Sequence, residues 1–252
     1  MNFRTALVTG ASSGIGAALS RRLAERGTHV VLCARRRDEL ESLAEDIRAV
    51  GGQATVRVVD VGEPDAAVGA IREIDDELGG LDLVVANAGV GEKSRKPPSW
   101  ETAKAMCHIN FTGAIATLTA ILPRMIERKR GHIVGVSSLA GLAPLPTSSV
   151  YCATKAGLTM FIDSIRLDLE PHGVGATAVH PGYVRTPLIE KNKFPMPFIV
   201  EVDDAAEIIL SRLPANPAHI DFPFPTAAVV RLAAAIPGGL AQRAFLALSR
   251  RR

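Results

Sequence analysis

An α/β architecture is predicted here, a doubly wound parallel sheet with helices on both faces, and three features of the sequence predict it. Short apolar, β-branched runs alternate with longer helical stretches, each run is bounded by Gly, Pro, Asp or Asn, and a glycine-rich turn joins the first run to the first stretch. Strands covered on both faces read as nearly all apolar, and alternation with helices implies right-handed crossovers between parallel neighbours.

Taken in order, Ala6-Leu7-Val8, Val30-Val31-Leu32, Val56-Arg57-Val58-Val59, Leu83-Val84-Val85, Ile133-Val134-Gly135-Val136 and Ala176-Thr177-Ala178-Val179 read as six strands. Between and after them, Ala17–Arg26, Arg37–Val50, Asp65–Leu78, Thr102–Arg128, Val150–Glu170 and Asp203–Leu213 read as helices. No repeat, low-complexity linker or break in composition divides the chain, so residues 1–252 are expected to form a single domain.

With 47% hydrophobic residues the chain can bury one core, and a net charge of +3, with basic residues spread along the chain save for a tail Arg250-Arg251-Arg252 that reads as a solvated end, gives no ground for nucleic-acid binding. Trp100 and the few other aromatics form no stacking platform. The cysteines Cys33, Cys107 and Cys152 lack paired spacing, which implies reduced thiols and a cytoplasmic location. His108, His172 and His180 lack metal-ligand spacing and read as structural or surface residues. The N-terminus enters its first strand without a secretory pattern, and no uninterrupted apolar run is expected to span a bilayer.

The turn Thr9-Gly10-Ala11-Ser12-Ser13-Gly14-Ile15-Gly16 carries the first functional signal. Glycine at 10 permits a tight turn, at 14 it lets backbone approach a pyrophosphate, and at 16 it lets helix pack on strand. The helix beyond offers free N–H groups and the positive end of its dipole. A tight turn without a ligand would look the same in isolation, but its place after the first strand of an alternating pattern marks a Rossmann-type dinucleotide site. The second strand then runs Leu32-Cys33-Ala34-Arg35-Arg36-Arg37, with no acid before Asp38 to take a free ribose hydroxyl. Arg35 can pair with a 2′-phosphate, which favours NADP(H) and leaves NAD(H) open; a solvated basic helix start is the plainer alternative.

Further along, Asp60-Val61, Asn87-Ala88-Gly89, Asn110, Ser138, Tyr151 with Lys155, and Pro181-Gly182 with Val184 and Thr186 follow one another. With Thr9, Gly10, Gly14 and Gly16, this ordered set resembles the classical short-chain dehydrogenase/reductase family over roughly residues 4 to 190. The pair Tyr151 and Lys155 lies four residues apart on one helical face, so phenol and ammonium share a site. Reduction of a carbonyl needs a proton donor at the developing alkoxide, and a neighbouring cation is expected to lower the phenol's pKa.

The resemblance implies the remaining roles. Ser138, rather than its neighbour Ser137, orients the substrate oxygen; Lys155 also binds the nicotinamide ribose; Asn110 holds a water in a proton relay. Ser12, Ser13 and Ile15 belong to the phosphate turn, and Asp60 and Val61 lie along the adenine. Asn87, Ala88 and Gly89 steady the sheet and the cofactor edge, and Pro181, Gly182, Val184 and Thr186 lead past the nicotinamide. It further implies a homodimer through the helices at Thr102–Arg128 and Val150–Glu170. The expected activity is interconversion of a hydrophobic ketone or aldehyde with its alcohol. A catalytically silent nucleotide sensor or scaffold of the same fold is the alternative.

Two regions are less regular. Residues 187–200 combine Pro187, Pro195 and Pro197 with Leu188, Ile189, Phe194, Phe198 and Ile199, the composition of a lid over an apolar pocket or of an ordinary packed loop. The polar loop Gly91 to Lys96 can add contacts to that pocket. At the C-terminal end the family's closing strand and glycine-rich turn give way to Ala218 through Pro225. A helical arm over residues 225–252 follows, one piece from Thr226 to Ile236 and a second reaching Leu248. The arm is expected to pack on the sheet edge or a subunit; with its arginines it can also lie on an anionic membrane surface.

Overall fold

The computed structural model describes residues 3–91, 98–190 and 196–236. Seven parallel strands form one sheet: β1 (Thr5–Thr9), β2 (His29–Ala34), β3 (Gln53–Val58), β4 (Leu83–Ala86), β5 (Gly131–Val136), β6 (Val174–Pro181) and β7 (His219–Phe222). Their spatial order is β3-β2-β1-β4-β5-β6-β7. The direction of winding reverses between β1 and β4, so their carboxyl ends open the crevice where ligands of such sheets bind. The register sets Thr9 opposite Cys33, Val8 opposite Val85 and Val136 opposite Val179. The turns that follow these strands therefore gather along one edge.

The central strands are buried because helices cover both faces, while the edge strands β3 and β7 are only partly covered. One face packs α1 (Gly14–Glu25), α2 (Arg37–Ala49) and α8 (Val202–Arg212) against Val8, Val30, Leu32 and Val179. The other packs α3 (Pro64–Glu77), α5 (Gly113–Thr119) and α7 (Ser149–Leu169) against Leu7, Val31, Val84 and Ala176. Strand alternation sends successive side chains to opposite faces, which is why Leu7 and Val8 belong to different halves of the core.

Three expectations are corrected. The helix expected over Thr102–Arg128 is composite: α4 (Trp100–Cys107), a π-helical turn at His108–Thr112, α5, and α6 (Leu122–Arg128). Pro123 sits in the first turn of α6, where a missing N–H costs nothing, and the chain breaks at Ala120-Ile121 just before it. By length and composition this stretch would also cross a bilayer, contrary to the expectation that no run is long enough. More than half of its most apolar window is buried in the fold, as in a core helix.

The third correction concerns the closing strand. Residues 219–222 form β7, paired with β6 from Ala178↔His219 to Pro181↔Phe222. Its residues alternate half-buried and buried, as an edge strand does, and only Ile220 and Phe222 reach the core. Helix α9 (Phe224–Ala235) follows directly, beginning two residues before Thr226 because Pro225 fits its first turn. The expected second piece of the arm, to Leu248, lies outside the described residues.

Candidate active site

The glycine turn stands at the end of β1 with Gly10 at φ +67° and Gly14 at φ +57°, backbone that favours glycine. A Cβ on Gly16 would lie 2.5 Å from the Gly10 carbonyl oxygen and from Asn87 Nδ2. That position needs glycine for packing, as expected. Ser13 precedes α1 without capping it through its side chain, and no acid occupies the first turn. The N-terminal amides of α1 are thus left facing the crevice with their dipole uncompensated, which suits an anion.

Asn87, at the end of β4, donates from Nδ2 to the Thr9 carbonyl at 2.9 Å, and its own N–H donates to Thr9 Oγ1 at 3.1 Å. It locks β4 to β1, and Gly10 approaches so closely that a Cβ there would sit 2.8 Å from Ala88 Cα. Asp60 accepts from the Gly62 N–H at 2.8 Å, capping its own turn. Val61 beside it is buried, and its carbonyl would meet a Cβ on Gly113 at 2.2 Å.

The basic residues after β2 differ in their reach. Arg35 is exposed and lies 3.9 Å from Asp60 Oδ2. Arg36 instead bends over the glycine turn, donating to Ser12 Oγ at 2.9 Å and Ser13 Oγ at 3.0 Å while pairing with Glu39. Sequence reasoning singled out Arg35 and missed Arg36. The run of three arginines shows that a cation is present but not which side chain turns toward the loop.

The candidate chemical centre is built by β5, α7 and the π turn. Ser138 is the second residue beyond β5; its hydroxyl donates to the Pro181 carbonyl at 3.3 Å and hydrogen-bonds the Tyr151 phenol. Ser137 faces the other way, donating to the Lys155 carbonyl at 2.8 Å and bonding Thr159 Oγ1 at 2.9 Å. Of the two serines, Ser138 is the one whose hydroxyl meets Tyr151. Lys155, one turn after Tyr151, is 4% exposed, and its Nζ donates to the Val136 carbonyl at 2.7 Å. Nζ lies 5.8 Å from the centre of the Tyr151 ring.

Electrostatics at this pair run against expectation. Burial pushes the Tyr151 phenol up, its hydrogen bond with Ser138 pulls it back, and Cys152 adds to the rise. The Lys155 ammonium hydrogen-bonds a backbone carbonyl and not the phenol. Burial likewise pushes Lys155 down to about 8. A neutral phenol above a weakly basic amine is an arrangement ready to donate a proton.

Asn110 is fully buried within the π turn, closed by the Gly113 N–H donating to the His108 carbonyl. Its Oδ1 accepts from the Val90 N–H at 2.8 Å and its Nδ2 donates to the Val90 carbonyl at 2.9 Å, with Thr154 Oγ1 at 3.3 Å. The carboxamide thus holds the segment after Gly89 against α7. A Cβ on Gly89 would come 3.5 Å from Lys155 Nζ and 3.4 Å from Asn110 Oδ1. The π turn, a frequent mark of functional sites, has no sequence signature and was not foreseen.

Beyond β6, the Gly182 N–H donates to the Phe222 carbonyl at 2.7 Å. Buried Val184 bridges to Val200, and the Arg185–Glu201 ion pair closes the same two ends at 2.8 Å. The two ends that flank residues 187–200 thus lie together. Leu188 and Phe198 are exposed on the loop; Leu188 comes within 3.3 Å of a Cβ built on Gly91. Thr186 comes within 3.0 Å of a Cβ on Gly14, over the phosphate turn. Phe194 and Pro195, and the polar contacts expected from Glu92 to Lys96, lie outside the described residues.

The glycine turn, Asn87 to Gly89, Asn110, Ser138, Tyr151, Lys155 and Pro181 to Thr186 are therefore brought together by direct contacts beyond the carboxyl ends of the strands, and the uncapped N-terminus of α1 among them suits the phosphates of a dinucleotide. The family profile described as short chain dehydrogenase matches residues 4–195. The chain belongs to the short-chain dehydrogenase/reductase family and is an oxidoreductase with a Rossmann-type sheet.

Among its relatives is an uncharacterised oxidoreductase of Myxococcus xanthus, 46% identical over 241 residues and covering 95% of each chain. Among solved structures, a short-chain dehydrogenase from Sphingobium yanoikuyae in complex with NADPH superposes with a TM-score of 0.81 at 28% identity, covering 93% of this chain and 97% of that one. The bulky-bulky ketone specific alcohol dehydrogenase from Comamonas testosteroni does so at 0.78 and 25% identity, covering 100% and 93%.

Proposed function

We propose that the protein is an NADP(H)-dependent carbonyl reductase that interconverts a hydrophobic ketone or aldehyde and its alcohol. The observation that carries this reading is the Ser138 hydroxyl hydrogen-bonded to the Tyr151 phenol, with the Lys155 amine buried alongside. Bound NADPH supplies the hydride. Tyr151 donates its proton to the substrate oxygen as the carbonyl becomes an alkoxide, and takes it back in the oxidative direction. Ser138 donates a hydrogen bond to the same oxygen, which fixes the carbonyl and favours the developing charge. Lys155 steadies the nicotinamide ribose and passes protons to Tyr151, with Asn110 positioning the water that completes the relay.

Gly10, Ser12, Ser13, Gly14, Ile15 and Gly16 hold the pyrophosphate, Asp60 and Val61 border the adenine, and Asn87, Ala88 and Gly89 back the ribose. Pro181, Gly182, Val184 and Thr186 pass the nicotinamide. The preference for NADP(H) over NAD(H) rests on Arg35 and Arg36, both set after a strand that ends in Ala34 rather than an acid. The Sphingobium neighbour, which carries NADPH, supports the same choice. Residues 187–200 form the substrate loop of a single domain, and exposed Leu188 and Phe198 support a hydrophobic substrate.

The three free cysteines suit the reducing cytoplasm. Met160 and Leu167, 66% and 71% exposed and seven residues apart on α7, support a homodimer through that helix.

NADPH oxidation against a panel of hydrophobic ketones and aldehydes tests the reading. Turnover is expected with NADPH, and replacing both arginines (Arg35→Ala/Arg36→Ala) should weaken NADPH by about tenfold or more while leaving NADH unchanged. Equal losses for the two cofactors would remove the assignment of the 2′-phosphate to these arginines.

A further inference from the structure

Helix α9 turns an apolar surface outward. Phe224, Val229, Leu232 and Ile236 at its end are 82%, 66%, 70% and 40% exposed, whereas Ala227 is its buried residue. On a helical projection the exposed arc of 224, 225, 228, 229, 232, 235 and 236 is wholly apolar. Arg231, the one charge of the helix, lies at the edge of that arc and is bonded to Asp221 and to His219 Nδ1. This clasp fixes which way the helix faces. A surface helix ordinarily shows the reverse pattern.

The sequence around it has one sign of charge. Asp221 is the last acid; residues 222–252 hold Arg231, Arg243, Arg250, Arg251 and Arg252 and neither Asp nor Glu. Apolar side chains followed in sequence by Arg243 and Arg250 to Arg252, with no acid among them, match an anionic bilayer surface, whose acyl boundary takes the first and whose headgroups take the second. A second copy meeting this face would present the same acid-free stretch to itself, arginine against arginine, since a two-fold interface pairs like with like.

We propose that the apolar arc of α9, with the arginines that follow it, docks the enzyme on anionic phospholipid. The inference stands on α9 and the charge pattern and is independent of the reaction assigned above.

Cosedimentation of the full chain with vesicles tests it, comparing phosphatidylglycerol mixed into phosphatidylcholine with phosphatidylcholine alone at about 0.1 M salt. Partitioning onto the anionic vesicles should exceed that onto the neutral ones by about tenfold or more. The exposed-face variant Val229→Ser/Leu232→Ser should lower it by at least roughly tenfold while binding NADPH as the parent does. Neutralising the tail (Arg250→Gln/Arg251→Gln/Arg252→Gln) should weaken binding severalfold and flatten its salt dependence. Absence of preference for anionic vesicles, or binding unchanged in the Val229→Ser/Leu232→Ser variant, overturns the proposal. So does light scattering that shows a dimer dissolved by that variant alone.

Discussion

An ammonium 4% exposed, hydrogen-bonded to one backbone carbonyl and held near pKa 8, makes Lys155 the most strained charge in the crevice. Unfolded, the same amine keeps its proton to about 10.4, so between the two values the unfolded chain binds more protons and stability must rise with pH. Below about 8 the penalty stands in full, roughly 3 kcal/mol. Without added nucleotide, urea midpoints of the parent should therefore climb relative to Lys155→Met from pH 7.5 to about 9.5. A gap independent of pH would mean that Lys155 titrates normally.

The pair Tyr151 and Lys155 was legible in the sequence because four-residue spacing fixes a shared helical face. The direction of the phenol's shift was not legible, because it depends on depth of burial and on where Nζ spends its hydrogen bond. Arg36 was hidden for a related reason: neighbouring arginines at a helix start differ only in rotamer.

Among the elements, strands and most helices followed from periodicity, since the buried parallel strands are continuous apolar runs and the helices repeat on one face. The π turn was illegible because one extra residue in a helical turn changes no side-chain pattern over so short a span. Strand β7 escaped because four residues containing His219 and Asp221 look polar, and only the edge position makes that composition tolerable.

The π turn has a structural consequence at Asn110, whose carboxamide satisfies both the N–H and the carbonyl of Val90. Asn110→Ala leaves both groups unpaired, and a loss of about 2 kcal/mol is expected in thermal or urea unfolding. The affinity for nucleotide should fall with it, because the segment after Gly89 loses its anchor. A variant of parental stability would show that water replaces the amide at no cost.

For the whole molecule, the winding order explains why residues from Gly10 to Thr186 meet. Reversal between β1 and β4 opens the crevice, and parallel pairing brings every strand's carboxyl end to its rim. This arrangement was predicted from the alternation of strands and helices, while the placement of the arm was not, since residues 224–236 carry Arg231 as their one charge and are apolar on most sides, so periodicity cannot say which side is covered. The homodimer proposed through α7 makes a separate claim at this scale. Leu167→Glu puts a charge on that face without touching the core, and light scattering should then report a monomer where the parent is a dimer. A parent that is monomeric at micromolar concentration would refute the interface.

Proton transfer from Tyr151 is the central claim, and single-turnover oxidation of bound NADPH by a carbonyl substrate tests it most directly when parent and Tyr151→Phe are compared. The phenylalanine keeps the ring and its packing and removes only the donor. The hydride-transfer rate is predicted to fall by about 10²- to 10⁴-fold in the variant, with NADPH affinity within a few-fold of the parent. A Tyr151→Phe variant that oxidises NADPH at the parental rate would contradict the account.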